Sequence, residues 1–198
     1  MYIVGVTGGV GAGKSEILAF LKETYGARVM RADEAAHILM EPGGACHEEI
    51  LALLGPEAAD AQGRLDRRAI AARIFGHEEL RLALNAIVHP AVNTYIRRDM
   101  DESERAGRKL YVIEAALLLE ENYDEICDEV WYIYADEQVR RRRLAESRGY
   151  SDEKTTAIMN SQLSDAEFRR RCHVVIDNSG TREAAQEQVR ARLREIMA

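Results

Sequence analysis

The feature that most restricts the fold of this chain is a glycine-rich segment near its N-terminus. The segment GVTGGVGAGKSE spans residues 5–16 and has glycine at positions 8, 9, 11 and 13. The apolar stretch 1–7 before it predicts a buried strand, and the apolar spacing over 14–25 predicts a helix. The chain is therefore expected to begin with a strand, a glycine-rich loop and a helix.

The loop matches the pattern G-x-x-x-x-G-K-[ST], which is typical of nucleotide-phosphate binding. Such a loop points its backbone N–H groups at phosphate oxygens, and side chains at the glycine positions would obstruct this wrapping. Lys14 is predicted to contact the β- and γ-phosphates of ATP, and Ser15 to coordinate Mg²⁺. The predicted nucleotide contacts in the loop are Gly8, Gly9, Val10, Gly11, Ala12, Gly13, Lys14 and Ser15.

Strands and helices alternate along the 198 residues, which predicts an α/β fold with a parallel sheet covered on both faces. Five strands are predicted, within 1–7, 27–33, 109–120, 129–135 and 173–180. The helical stretch 34–108 is too long for a single crossover, so it predicts an inserted subdomain, with a smaller insertion at 137–170. The expected core comprises 1–33, 109–136 and 171–198.

Composition and charge argue against several classes of protein. The net charge of −7 disfavours a nucleic-acid-binding protein. Three scattered cysteines, with no CxxC pair, indicate reduced thiols. The sequence shows no signal peptide and no apolar run of about 20 residues, so we expect a cytoplasmic protein that makes no contact with membranes. We further expect a monomer or a weak homo-oligomer.

Two carboxylates follow predicted strands and are candidates for phosphoryl-transfer chemistry. The GTPase pattern N-K-x-D is absent, and a short chain with a helical insertion is more typical of a small-molecule kinase. Asp33 is the candidate base or hydroxyl-orienting group, and its alternative role is a helix N-cap. Glu114 is the candidate for holding Mg²⁺ through water, and its alternative role is a simple strand-end charge.

The arginine run at 140–143, together with Arg148, is the candidate lid over the phosphates. Guanidinium groups bind phosphate oxygens with a fork geometry and remain charged. Four consecutive arginines surround a helix, so at most two of them can face a nucleotide. We favour Arg143 and Arg148, with Arg140 in reserve; the alternative is a solvated helix face.

Taken in order, these and further segments resemble the dephospho-CoA kinase family over nearly the whole chain. The segments are VTGGVGAGKS, RAD ending at Asp33, EPGG, GRLDRRAIAARIF, LNAIVHP, VIEAALLLE and VIDNSG. The resemblance implies a P-loop kinase-like, three-layer fold with a helical acceptor-binding insertion and a small lid. It also implies ATP- and Mg²⁺-dependent phosphorylation of the ribose 3′-hydroxyl of dephospho-CoA, which gives coenzyme A and ADP.

The resemblance further implies roles for individual residues. Lys14, Asp33 and Arg143 would be catalytic, and Thr7 to Ser15 would hold the ATP phosphates. Asn178 and Gly180 would lie near the adenine. The pair His89 and Pro90 matches the family's His-Pro pair, where His89 either contacts acceptor phosphate or caps a kink.

Three positions depart from the family pattern, namely Glu16, Arg31 and Ala116. A carboxylate at Glu16 is expected to turn outward, away from the phosphates. Two alternatives to the main interpretation therefore stay open at this point. One is another P-loop small-molecule kinase, such as a nucleoside monophosphate kinase, and the other is an ATP-binding regulator without catalysis.

Overall fold

A computed structural model describes residues 1–197. The five strands are β1 (Tyr2–Thr7), β2 (Arg28–Arg31), β3 (Leu110–Glu114), β4 (Glu129–Tyr134) and β5 (Val174–Asp177). The first five helices are α1 (Lys14–Tyr25), α2 (Ala32–Met40), α3 (His47–Leu54), α4 (Arg67–Ile74) and α5 (Glu78–Arg105). The remaining four are α6 (Glu137–Arg148), α7 (Asp152–Asn160), α8 (Asp165–Arg171) and α9 (Arg182–Ile196).

The strands form one sheet in the order β2-β3-β1-β4-β5. Strand β1 lies at its centre and pairs in parallel with β3 and β4, and β4 pairs in parallel with β5. Carboxyl ends of parallel strands meet at one edge, which is where ligands bind in open α/β sheets. The glycine-rich loop leaves β1 at this edge, in the middle of the sheet.

Helices cover both faces of the sheet, as predicted. On one face, Val4 and Val6 of β1 belong to a buried cluster with Leu21 of α1 and Val189 of α9. On the other face, the ring of Tyr132 stacks on Phe168 of α8, with centroids 4.6 Å apart. The alternation of strands and helices in the sequence thus gives three layers, because each strand buries apolar side chains in both directions.

Two predicted strands end earlier than the sequence suggests. The second strand stops at Arg31 and α2 begins at Ala32, so Asp33 lies in the first turn of a helix and not at the end of a strand. Carboxylates are favoured in that turn by the helix dipole. The third strand stops at Glu114, and Leu118 and Leu119 are buried in the turns that follow it.

The stretch around Pro90 forms a single continuous helix. Helix α5 runs for 28 residues and contains Pro90 in its interior. Proline removes one backbone N–H donor from the helix. The Thr94 hydroxyl donates to the Pro90 carbonyl oxygen at 2.9 Å, which adds a bond one turn further along.

The chain divides into two compact units by its internal contacts. One comprises Met1–Val29 and Ser103–Ala198, and the other comprises Met30–Glu102. The first contains the glycine-rich loop, and the second is mostly helical. The assignment of functions to these parts of the chain stays a prediction. Within residues 1–197, no helix has the length and apolar character that crossing a membrane requires.

Candidate active site

The loop between β1 and α1 adopts a backbone conformation that only glycine accommodates easily. Gly11 and Gly13 have φ angles of 79° and 88°, in the left-handed region. Gly13 is also the N-cap of α1, and a Cβ there would overlap the carboxamide of Asn178. The glycine at this position is therefore required by both the backbone conformation and the close approach of a neighbouring side chain.

Lys14, the first residue of α1, folds its side chain back over the loop. Its ammonium group donates to the Gly8 carbonyl oxygen at 2.6 Å and lies 4.0 Å from the Glu114 carboxylate. Both side chains of this pair are about five-sixths buried, with 16% and 17% exposed. Glu114 reaches this position because it ends β3 and pairs in register with Val6 of β1. One cation and one carboxylate thus meet beside the loop.

Two arginines of α6 contact the backbone of the loop. The Arg140 guanidinium donates from Nε to the Val10 carbonyl oxygen at 2.8 Å. Arg143 donates to the Ala12 carbonyl oxygen at 3.4 Å and to the Asn178 carbonyl oxygen at 2.9 Å. Burial lowers the pKa of Arg140 from its ordinary value. Arginine stays charged at such a site, so both groups place positive charge next to the loop.

Asn178 follows β5 and is 1% exposed. Its side-chain amide donates to the Ala12 carbonyl oxygen at 2.8 Å, and its backbone N–H donates to the Tyr134 carbonyl oxygen at 2.8 Å. Asn178 therefore joins the end of β5 to the glycine-rich loop. The predicted contact of Asn178 with adenine stays a prediction.

The other predicted site residues lie in more open surroundings. Ser15 is exposed in the first turn of α1, and Asp33 is exposed in the first turn of α2. The Arg148 guanidinium lies 5.9 Å from the centre of the Tyr150 ring, so its described contact is with that ring. A side chain built on Gly180 would meet open space.

Thr7, the last residue of β1, is fully buried. Among residues 1–197 its hydroxyl oxygen has no hydrogen-bond partner. Buried polar groups almost always have a partner, so a ligand or a water molecule is the expected source of one here. The prediction that the nucleotide site starts at Thr7 stays a prediction.

Sequence reasoning missed one residue that contacts the loop. The Gln162 side-chain oxygen accepts from the Val10 backbone N–H at 3.0 Å and from the Arg140 guanidinium at 3.2 Å. Sequence reasoning also ranked Arg140 behind Arg148, whereas in the structure Arg140 contacts the loop and the described contact of Arg148 is with the Tyr150 ring. No motif marks a glutamine 152 positions away from its partner, so only the tertiary structure reveals this contact.

Comparison with known proteins identifies the family. The family model described as "CoaE: Dephospho-CoA kinase" matches residues 2–184. The chain belongs to the dephospho-CoA kinase family. The dephospho-CoA kinase of Geobacillus kaustophilus is 37% identical over 192 residues, covering 97% of this chain and 95% of that protein. The enzyme of Corynebacterium diphtheriae is 38% identical, covering 96% of this chain and 94% of that protein.

Several solved structures share the fold of this chain. The Thermus thermophilus protein TT1252 has a TM-score of 0.82 and 34% identity, covering 98% of this chain and 97% of that one. Two further structures share the fold: the dephospho-CoA kinase of Campylobacter jejuni (TM-score 0.72, 20% identity, 98% and 96% covered) and the shikimate kinase of Acinetobacter baumannii (TM-score 0.55, 15% identity, 98% and 94% covered). The predictions of a P-loop kinase fold, of this family and of an ATP-dependent kinase are confirmed.

Proposed function

We propose that this member of the dephospho-CoA kinase family transfers the γ-phosphoryl group of ATP to the ribose 3′-hydroxyl of dephospho-CoA. The observation that carries the proposal is the loop Gly8–Ser15, formed between β1 and α1 with Lys14 folded over it, in a chain of this family. The 3′-oxygen forms a new bond to phosphorus while the bond to the bridging oxygen of ADP breaks. The products are coenzyme A and ADP.

The loop and its cations supply the charge stabilisation that this reaction needs. Phosphoryl transfer depends mainly on positioning and on neutralising the charge of the transferring group. The N-terminus of α1 and the Lys14 ammonium group provide fixed positive charge at the loop. Arg143, which contacts the loop backbone, adds a guanidinium group from α6, and we propose that it closes over the phosphates. Arg148 is the second proposed lid arginine.

We propose Mg²⁺ as the cofactor, with the Ser15 hydroxyl and the Glu114 carboxylate, through water, as its protein ligands. Both are hard oxygen donors, which Mg²⁺ prefers, and Mg²⁺ usually shares its coordination with water and substrate phosphates. Among residues 1–197, no three His, Cys, Asp or Glu side chains form a cluster that could hold a metal alone. When bound, the ion neutralises charge on the β- and γ-phosphates.

A pocket in the helical unit supports the proposal that residues 34–108 bind the acceptor. The pocket has a volume of about 480 Å³ and is lined by apolar side chains of α5 together with Glu49 and Arg98. An apolar cleft with a few polar groups is the usual form of a small-molecule site. Dephospho-CoA carries a long arm with apolar segments as well as anionic phosphates, so the apolar side chains of the lining and the Arg98 guanidinium each have a matching group on the acceptor.

The test of the proposal is ADP release from ATP and Mg²⁺ in the presence of separate acceptors. The acceptors are dephospho-CoA, AMP, CMP and shikimate, with an acceptor-free control. We expect ADP with dephospho-CoA alone, and coenzyme A as the second product. ADP formation with AMP or CMP instead would replace the proposal with a nucleoside monophosphate kinase. ATP binding without turnover of any acceptor would identify an ATP-binding regulator.

Asp33 is proposed as the group that orients the 3′-hydroxyl or accepts its proton. It is exposed in the first turn of α2, where a carboxylate can reach a ligand. The change Asp33→Asn is expected to lower kcat by about a hundredfold or more, since general-base assistance is typically worth that much. The Kd of ATP, measured by calorimetry, is expected to stay within about twofold. A wild-type kcat in Asp33→Asn would remove Asp33 from the mechanism, and Glu34→Gln in the same turn is the matched control.

We also propose that the protein is cytoplasmic and acts as a monomer or a weak homo-oligomer. All three cysteines, Cys46, Cys127 and Cys172, are free thiols in the structure. Free thiols are the usual state in a reducing compartment. Light scattering of the purified protein over a range of concentrations tests the oligomeric state directly.

A further inference from the structure

Gln162 forms a closed set of hydrogen bonds with the phosphate loop and with Arg140. Its side-chain oxygen accepts from the Val10 N–H at 3.0 Å and from Arg140 Nη2 at 3.2 Å. Arg140 Nε in turn donates to the Val10 carbonyl oxygen at 2.8 Å. Both groups that face the Gln162 oxygen can only donate, so the oxygen and not the amide nitrogen must point at them.

The position of Gln162 in the chain makes this contact specific. It lies between α7, which ends at Asn160, and α8, whose N-cap Ser164 forms a reciprocal capping box with Glu167. The capping box fixes the N-cap of α8, which lies two residues after Gln162. The side chain therefore reaches the loop from a segment whose backbone is held in place on both sides.

Arg140 lies directly against the loop. A Cβ built on Gly9 would overlap its guanidinium group, so the glycine permits the guanidinium to lie on the backbone. An arginine held this closely needs acceptors, and it has two in the Val10 carbonyl and the Gln162 oxygen. Gln162 thus accepts hydrogen bonds both from the Arg140 guanidinium and from the backbone of Val10, the residue to whose carbonyl oxygen Arg140 donates.

We propose that Gln162 is a positioning residue for ATP: it acts through Arg140 and Val10 to hold the phosphate loop in its binding conformation. The role of ATP as substrate rests on the proposed function. A loop that is already ordered binds its ligand more tightly, because less conformational entropy is lost on binding. Without the Gln162 oxygen, the Val10 N–H and one Arg140 N–H lose their fixed acceptor, and the loop must be ordered by ATP itself.

The first test replaces Gln162 with methionine, which has a similar length and no amide oxygen. Gln162→Met is expected to raise the Kd of ATP about tenfold, which corresponds to the loss of one hydrogen bond to a charged group. The KM for dephospho-CoA and the melting temperature, within about 2 °C, are expected to stay unchanged. Gln138→Met is the matched control, because Gln138 is an exposed glutamine on α6, the helix that carries Arg140.

Calorimetry with ATP and no acceptor gives this Kd without any turnover, so it tests Gln162 even if dephospho-CoA is not the substrate. Equal Kd values for Gln162→Met and Gln138→Met would overturn the proposal. A fall in melting temperature that accompanies the weaker binding would also overturn it, since that pattern indicates a purely structural role.

A double variant tests whether Gln162 acts through Arg140. If it does, Arg140→Met combined with Gln162→Met is expected to weaken ATP binding by clearly less than the sum of the two single losses, because either change alone already removes the Arg140–Gln162 hydrogen bond. Additive losses in the double variant would show that the two residues act independently, and would contradict the proposal.

Discussion

Individual residues at which the chain departs from its family are accommodated at the surface. Glu16, which follows the loop, is about half exposed and lies 3.6 Å from Arg182 of α9, so it turns outward as predicted. Arg31 pairs with Glu34 at 2.9 Å, and Ala116 is exposed in the turns after β3. Exposed ion pairs contribute at most about 1 kcal/mol. The ion pairs of Glu16 and Arg31 are therefore expected to add little to the stability of the fold.

Cys127 and Cys172, which come shortly before β4 and β5, give a prediction about how thiol reactivity depends on pH. Burial raises the pKa of Cys127 and of Cys172 to about 12, and the nearby Asp124 carboxylate acts in the same direction on both thiols. A raised pKa leaves less reactive thiolate at pH 8, so alkylation of both thiols by iodoacetamide is expected to be roughly a thousandfold slower in the native protein than in urea. The native rate is expected to increase as the pH rises towards 12.

Mass spectrometry of the alkylated protein at pH 8 checks this expectation for each cysteine. The urea-unfolded protein, in which all three thiols have ordinary pKa values, is the control. Equal native and unfolded rates at Cys127 would mean that this thiol is not held in its neutral form.

At the scale of secondary structure, α6 shows why a run of four arginines could not be assigned from the sequence. Arg140 and Arg143 are three residues apart, so they share one face of the helix and contact the loop. Arg141 faces elsewhere and pairs with Glu137 at 2.7 Å. Packing sets the rotation of a helix about its axis. Four identical residues in a row do not indicate which of them faces the loop.

Helix α4 provides a prediction of local stability. The Asp66 carboxylate caps this helix and accepts from the backbone N–H groups of Arg68 at 2.7 Å and Ala69 at 3.4 Å. Asp66→Ala is expected to lower the free energy of unfolding by about 1 kcal/mol, because it leaves those donors without a cap. Urea denaturation measures the change. Asp66→Asn keeps a capping oxygen and is expected to lie much closer to wild type, so an equal loss in both variants would contradict the capping role.

At the scale of the whole molecule, the proposed ATP site and the proposed acceptor pocket lie in different compact units. The unit of Met1–Val29 and Ser103–Ala198 contains the phosphate loop with its arginines, whereas the unit of Met30–Glu102 contains the pocket beside α5. Binding of ATP and binding of the acceptor are therefore expected to respond separately to substitutions. This separation allows the two proposed substrates to be tested independently in one protein.

Arg98 gives the prediction at this scale. Its side chain lines the pocket, is exposed and donates to Glu102 at 3.1 Å. Arg98→Ala is expected to raise the KM for dephospho-CoA about tenfold through the loss of a cation for an acceptor phosphate, with the Kd of ATP unchanged. Steady-state kinetics and calorimetry measure the two quantities. Arg97→Ala, at the exposed neighbouring position, is the control, and the same KM in both variants would exclude the pocket from acceptor binding.

The sequence alone determined the features that depend on neighbouring residues. The phosphate loop follows from the glycine spacing between a strand and a helix. The alternation of strands with helices was sufficient for the parallel sheet. The sequence also indicated the family, because the ordered set of short motifs extends along nearly the whole chain.

Only the tertiary structure decided which distant side chains meet the loop. Gln162 and Asn178 contact Val10 and Ala12 across 152 and 166 positions of sequence. The end of β2 was also misplaced, since residues 32 and 33 can extend a strand or start a helix and the structure places them in α2. Such outcomes depend on how helices and strands pack against one another, and a local pattern carries no record of that packing.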